Sequence, residues 1–202
     1  HSLLSCLGAL GRVINPNDLE AAVRRLIASY NSLGRETRDQ SAAVIAACIQ
    51  QLINRCSSQL IDHDVWTALL ACVYVGTFDA DAKSRDTWAA VWGETLSQSG
   101  AGNKGTALRR TLILVLSTVS QYLHDLSWTR RSHGLAILDD ICRSLPGEQV
   151  APNVGHVIMD LLRLLPGKIW SGQGQVLALL SLLVTKCENC LDCTVARDVV
   201  LL

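Results

Sequence analysis

Few aromatic side chains are available to fill an interior here: the chain has one phenylalanine and three tyrosines beside five tryptophans. Charge is equally sparse. Charged residues make up 18% of the 202 positions, and 18 basic residues balance 18 acidic ones. A net charge of zero offers no electrostatic footprint for nucleic acid or an anionic membrane surface, so neither is expected as a partner. No apolar run approaches the ~20 residues a membrane-spanning helix needs; 112–116 and 176–184, the latter broken by Ser181, fall far short of it. Membrane insertion is therefore not expected. No basic segment precedes an apolar stretch at the start, so no secretory leader is read there.

What the chain does have is apolar content, 49% of the sequence with few β-branched runs, which suits helices buried on more than one side. Of eight cysteines, Cys6, Cys48, Cys56, Cys72 and Cys142 fall inside apolar helical patterns. Thiols so placed behave as small core residues, and a reducing compartment fits them. The chain opens inside a helix-like pattern and closes on four apolar residues, Val199 to Leu202. It reads as a piece of a longer protein.

Trp128 and Trp170 stand 42 residues apart, each opening a Trp-Ser/Thr step into an apolar helix. Superposing 126–141 on 168–183 pairs Leu135 with Leu177, Ala136 with Ala178, Ile137 with Leu179 and Leu138 with Leu180. Upstream, 37–44 and 84–91 share Arg-Asp and Ala-Ala-Val at an offset of 47. One series of helix openings thus falls at Thr37, Ser84, Thr129 and Ser171 (B-type helices). A second series interleaves at Asp18, Asp62, Thr106 and Pro152 (A-type helices), spaced 44, 44 and 46. Ser, Thr, Asp and Asn satisfy free amides at helix starts, while Gly34, Gly76 and Pro166-Gly167 mark ends. A period in the forties with alternating helices predicts an all-α HEAT- or armadillo-like solenoid of about four to five helical hairpins, one array over residues 1–202. Val23, Leu26, Ile27 and Tyr30 make an amphipathic stripe, whereas the B-type run Ala43–Ile49 predicts burial nearly all round.

Motifs for chemistry are thin. Cys187, Cys190 and Cys193 have a spacing from which thiolates could share a metal, but no neighbouring fourth ligand completes a site; cysteines at a helix end are the simpler reading, and no cofactor is expected. The glycines at 100, 102 and 105 lack the order of a phosphate loop and a preceding strand. The five histidines are scattered, with no nucleophile elbow. Asp79 with Asp81, and Asp139 with Asp140, are the close carboxylate pairs; adjacent helical positions diverge, so the second pair does not face one site. Trp88 and Trp92, at i and i+4, share a helix face and with Trp128 and Trp170 are expected to pack between repeats. Arg130, Arg131 and Lys168 flank the latter two as candidate partner-binding residues. An enzyme is not expected.

Residues 88–95 (WAAVWGET), 127–134 (SWTRRSHG) and 165–187 (LPGKIWSGQGQVLALLSLLVTKC) resemble, in order and spacing, the C-terminal region of the HEAT-repeat proteasome adaptor and scaffold family. The upstream stretch 7–55 is similar in layout. Gln173, Gly174 and Gln175 depart from the Lys and acidic pair the family tends to carry, removing charge from that helix start. The resemblance implies a non-enzymatic role in the cytoplasm and nucleus. It would bind 26S proteasome subunits, link core and regulatory particles, and support assembly or quality control. A HEAT module for transport or translation machinery is the alternative, as is a metal or redox module on the three cysteines.

Overall fold

The computed structural model describes residues 16–32, 38–55, 63–98, 103–166 and 170–188. Among these it is all-helical: α1 (Pro16–Ser32), α2 (Arg38–Arg55), α3 (His63–Gly76), α4 (Ala82–Gln98), α5 (Lys104–His124), α6 (Trp128–Ser144), α7 (Gly147–Leu162) and α8 (Gln173–Lys186). The absence of strands among the described residues and the paired helices are consistent with a HEAT-like helical repeat. Two compact units divide the chain, His1–Leu112 and Ile113–Leu202, with the division inside α5.

In the first unit α1 pairs with α2 and α3 with α4, while α1 also lies on α3 and α2 on α4. Like therefore packs on like, A-type on A-type and B-type on B-type. A helix in such a position needs apolar surface toward its hairpin partner and toward its counterpart in the next hairpin. α2 meets this with Ala42, Ile45, Ala46, Ile49, Leu52 and Ile53, all buried, while Val44 is exposed. The sequence expectation of all-round burial for B-type helices is overturned here. The helix buried almost throughout is the A-type α3, from Leu69 to Val75, because α1, α2 and α4 all contact it. Its three β-branched valines (65, 73 and 75) cost only a few tenths of a kcal/mol each in helix propensity; each is almost wholly buried, which outweighs that.

The helix α4 buries Ser84, Trp88, Val91 and Thr95, a single stripe at i, i+4, i+7, i+11. Asp81 caps it, its carboxylate accepting the Ser84 amide at 2.6 Å. Asn103 does the same for α5, accepting the Thr106 amide at 2.9 Å. Each of these caps lies three residues before the Ser or Thr that sequence reasoning took as the opening, since Ser84 and Thr106 occupy N3 rather than N-cap. A larger difference concerns α7, which begins at Gly147 and carries Pro152 inside. At the sixth helical position proline forgoes the bond its amide would make to the Glu148 carbonyl, a loss of about 3 kcal/mol in a helix interior; the buried Val150 nevertheless anchors the turn ahead of it.

In the second unit α8 packs on both α6 and α7. The repeat-matched residues record position in this arrangement. Leu135 and Ile137 of α6 are fully buried, as is Leu179, the counterpart of Ile137. Leu177, the counterpart of Leu135, is 56% exposed: α6 is covered by α8, and no described helix follows α8. An open apolar groove of about 780 Å³ lies there, lined by Leu162, Leu165, Pro166, Leu177, Leu180 and Val184 among others.

Candidate interaction surface

The four tryptophans singled out in the sequence separate into two environments. Trp88 is fully buried, its indole against Gly76 and edge-on to Tyr30 at 4.9 Å between centroids. Tyr30 lies on α1 and its hydroxyl donates to buried Asp79 at 3.2 Å, so three helices and the turn after α3 meet at this indole. Trp92, one turn on, is half-buried and tilts against Tyr74 at 5.5 Å. Both serve the interior of the first unit.

Trp128 and Trp170 are placed differently. Their rings lie 4.5 Å apart, tilted by 31°, so the 42-residue periodicity brings the starts of two successive B-type helices into contact. The Trp170 indole N–H donates to the Leu164 carbonyl at 3.2 Å, fixing it beside the end of α7. Trp128 remains 50% exposed and its neighbour Leu126 is 92% exposed. The Arg131 guanidinium sits 4.7 Å from the Trp128 ring centroid, within cation–π range. Its Nε donates to the Asp125 carbonyl at 2.6 Å. Arg130 lies over the Tyr122 ring at 5.5 Å and meets the Asp125 carboxylate at 3.3 Å. Leu126, Trp128, Arg130, Arg131 and Trp170 therefore form one ledge, apolar at its tip and basic at its side. Lys168 lies outside the described residues.

A second polar feature had no sequence signal beyond the i, i+4 spacing of His156 and Asp160. Asp160 is 3% exposed, and its carboxylate accepts Ser120 Oγ of α5 at 2.6 Å. Arg163 lies at 3.4 Å, His124 at 3.6 Å and His156 at 3.8 Å. A buried carboxylate needs such partners. Ser120 and His124 of α5 thus reach Asp160 of α7, about 40 residues away in the sequence. A groove of about 340 Å³ opens beside the cluster, lined also by Ile113, Leu116, Leu138 and Asn153. The histidines that sequence reasoning left scattered thus include two beside one carboxylate. Among the described residues no group of three His, Cys, Asp or Glu is arranged to hold a metal ion.

The carboxylate pairs serve structure. Asp81 caps a helix, Asp79 accepts from Tyr30, and Asp139 pairs with Arg143 at 2.8 Å. Of the cysteine triplet, Cys190 and Cys193 lie outside the described residues. Cys187 is buried, and its Sγ is 3.7 Å from the Gly147 carbonyl. Nearby, burial pushes the Cys142 thiol up to about 11, with Lys186 opposing the rise and Cys187 adding to it. The Lys186 ammonium also donates to the Cys142 carbonyl. A thiol held protonated in this way is a poor nucleophile.

No family's sequence profile matches the chain, and no solved structure matches it. The sequence is 21% identical over 200 residues to the "Proteasome adapter and scaffold protein ECM29" of Homo sapiens. The match covers 96% of this chain and 10% of that protein, so the chain spans about a tenth of the relative's length. Scaffold character in a relative and a repeat-like helical fold are compatible with a non-catalytic protein. Among the described residues no helix is long and apolar enough to cross a membrane.

Proposed function

We propose that this chain is a non-enzymatic scaffold segment that binds the 26S proteasome, linking its core and regulatory particles and supporting assembly or quality control in cytoplasm and nucleus. The observation that carries the reading is the similarity to a proteasome adapter and scaffold protein, which runs along nearly the whole chain. The packing of like helix on like agrees with it. Repeat arrays bury their apolar surface between units and present extended faces to partners. The apolar and basic ledge is the contact point this reading assigns, since Trp and Arg are enriched where binding energy concentrates.

The test is native affinity purification of the full-length protein from its source, followed by mass spectrometry. Proteasome core and regulatory subunits should co-purify in comparable amounts. Recovery of transport or translation machinery in their place, or of no proteasome subunit, overturns the reading.

A further inference from the structure

The Arg131 guanidinium is set up as a receptor. The guanidinium carbon lies over the Trp128 ring, 4.7 Å from its centroid, and the 2.6 Å bond from Nε to the Asp125 carbonyl restrains its rotation. Its two terminal amino groups make no hydrogen bond or ion pair with any described residue. A planar fork held in place loses less side-chain entropy on binding than a free lysine or arginine and matches a carboxylate bidentately. The surroundings favour an anion. Asp125 supplies the one carboxylate between positions 125 and 133, and it is engaged by Arg130 at 3.3 Å and by the Ser127 amide at 2.8 Å. The first turn of α6 holds no acidic residue, nor does the stretch 170–175 around the packed Trp170. Leu126, which follows Asp125 in the chain, is 92% exposed, and the indole of Trp128 under the fork is half exposed; these two offer a place for an apolar side chain.

We infer that this ledge docks an acidic linear segment of a protein partner, with a Glu or Asp carboxylate on Arg131 and an adjacent apolar residue against Leu126 and Trp128. The segment is short, because the ledge spans little more than one helix start. This inference rests on the scaffold reading only in that it needs a protein partner; it does not depend on the partner being a proteasome subunit.

The probe is a phage library of random dodecapeptides, panned on the immobilised 202-residue chain at low salt and counter-selected on Arg131→Gln. Clones that require Arg131 should carry Glu or Asp beside a large apolar residue. A synthetic peptide from such a clone should bind at least about tenfold more weakly to Arg131→Gln and to Trp128→Ala. Arg131→Lys should recover only part of the loss, since it keeps the charge without the fork. Circular dichroism of each variant establishes that the fold is intact. Replacing the peptide's Glu by Gln should cost a similar factor. The inference is overturned by a library with no Arg131-dependent clones, by clones that are basic or neutral, or by a phosphoserine version binding more than tenfold tighter than the Glu peptide. Arg131-dependent peptides without proteasome recovery would leave the ledge in place and remove the proteasome reading; the reverse result would do the opposite.

Discussion

Replacing Gly76 by alanine adds one methyl group to a helix and should nonetheless destabilise the protein. A Cβ at this position would lie 2.3 Å from Trp88 Cδ2 and 2.6 Å from its Cγ and Cε2, whereas carbon atoms pack at about 3.5–4.0 Å. Relief requires the indole to retreat by more than an ångström. It has little room, being fully buried with the Tyr30 ring edge-on at 4.9 Å. Alanine's better helix propensity acts the other way, by at most about 1 kcal/mol. Overpacking of this kind costs about 1–3 kcal/mol and occasionally more, so after that offset a net loss of up to about 2–3 kcal/mol is expected. Gly93→Ala provides the control in α4: it is exposed, with nothing within 4 Å of an added Cβ, and should stabilise by up to about 1 kcal/mol. Urea unfolding followed by far-ultraviolet circular dichroism would measure both. Midpoints that move in the same direction, or a Gly76→Ala midpoint at or above the parent's, would refute the packing described around Trp88.

Leu138→Ala should cost about 2–5 kcal/mol, toward the lower end because Leu138, though 1% exposed, borders the groove near Asp160; a loss under about half a kcal/mol in urea unfolding would place the residue on the wrong face. Ser120→Ala removes the 2.6 Å bond to the 3%-exposed Asp160 and should lower stability by about 1–3 kcal/mol; an unchanged midpoint would mean that Arg163 and the histidines suffice. Folding holds the Cys142 proton more tightly, moving the thiol from its ordinary 9.0 to about 11. The associated stability is therefore whole below about pH 9 and is lost as pH rises through about 11. At pH 8, alkylation of native Cys142 should run at least about tenfold slower than in urea, and equal rates by peptide mapping would contradict its burial.

Much of the fold was legible because a repeat writes itself into the chain more than once. The Trp128 and Trp170 openings announced two B-type helices, and the fold brings those same rings together. Helix starts were less legible. Ser84 and Thr106 look like caps, but Asp81 and Asn103 also qualify, and which of them supplies the oxygen depends on a backbone angle that residue type does not dictate. Pro152 looked like a boundary, yet tertiary burial of Val150 holds a turn beyond it. The Asp160 cluster was hidden for a different reason: Ser120, His124 and Asp160 carry no shared motif, and only helix-on-helix packing makes them neighbours.

Composition and periodicity alone pointed to a helical chain with a recurrence of forty-odd residues and balanced charge. These are local consequences, set by side-chain pattern along a helix and by capping chemistry at its ends. Which face of each helix is covered was decided only in three dimensions. Leu135 and Leu177 occupy matching positions, yet one is sealed and the other is half in solvent. Burial depends on what lies against a helix, and that neighbour comes from a different hairpin. The same holds for Arg131, an ordinary basic residue in the sequence that becomes an oriented fork once Trp128 and the Asp125 carbonyl hold it.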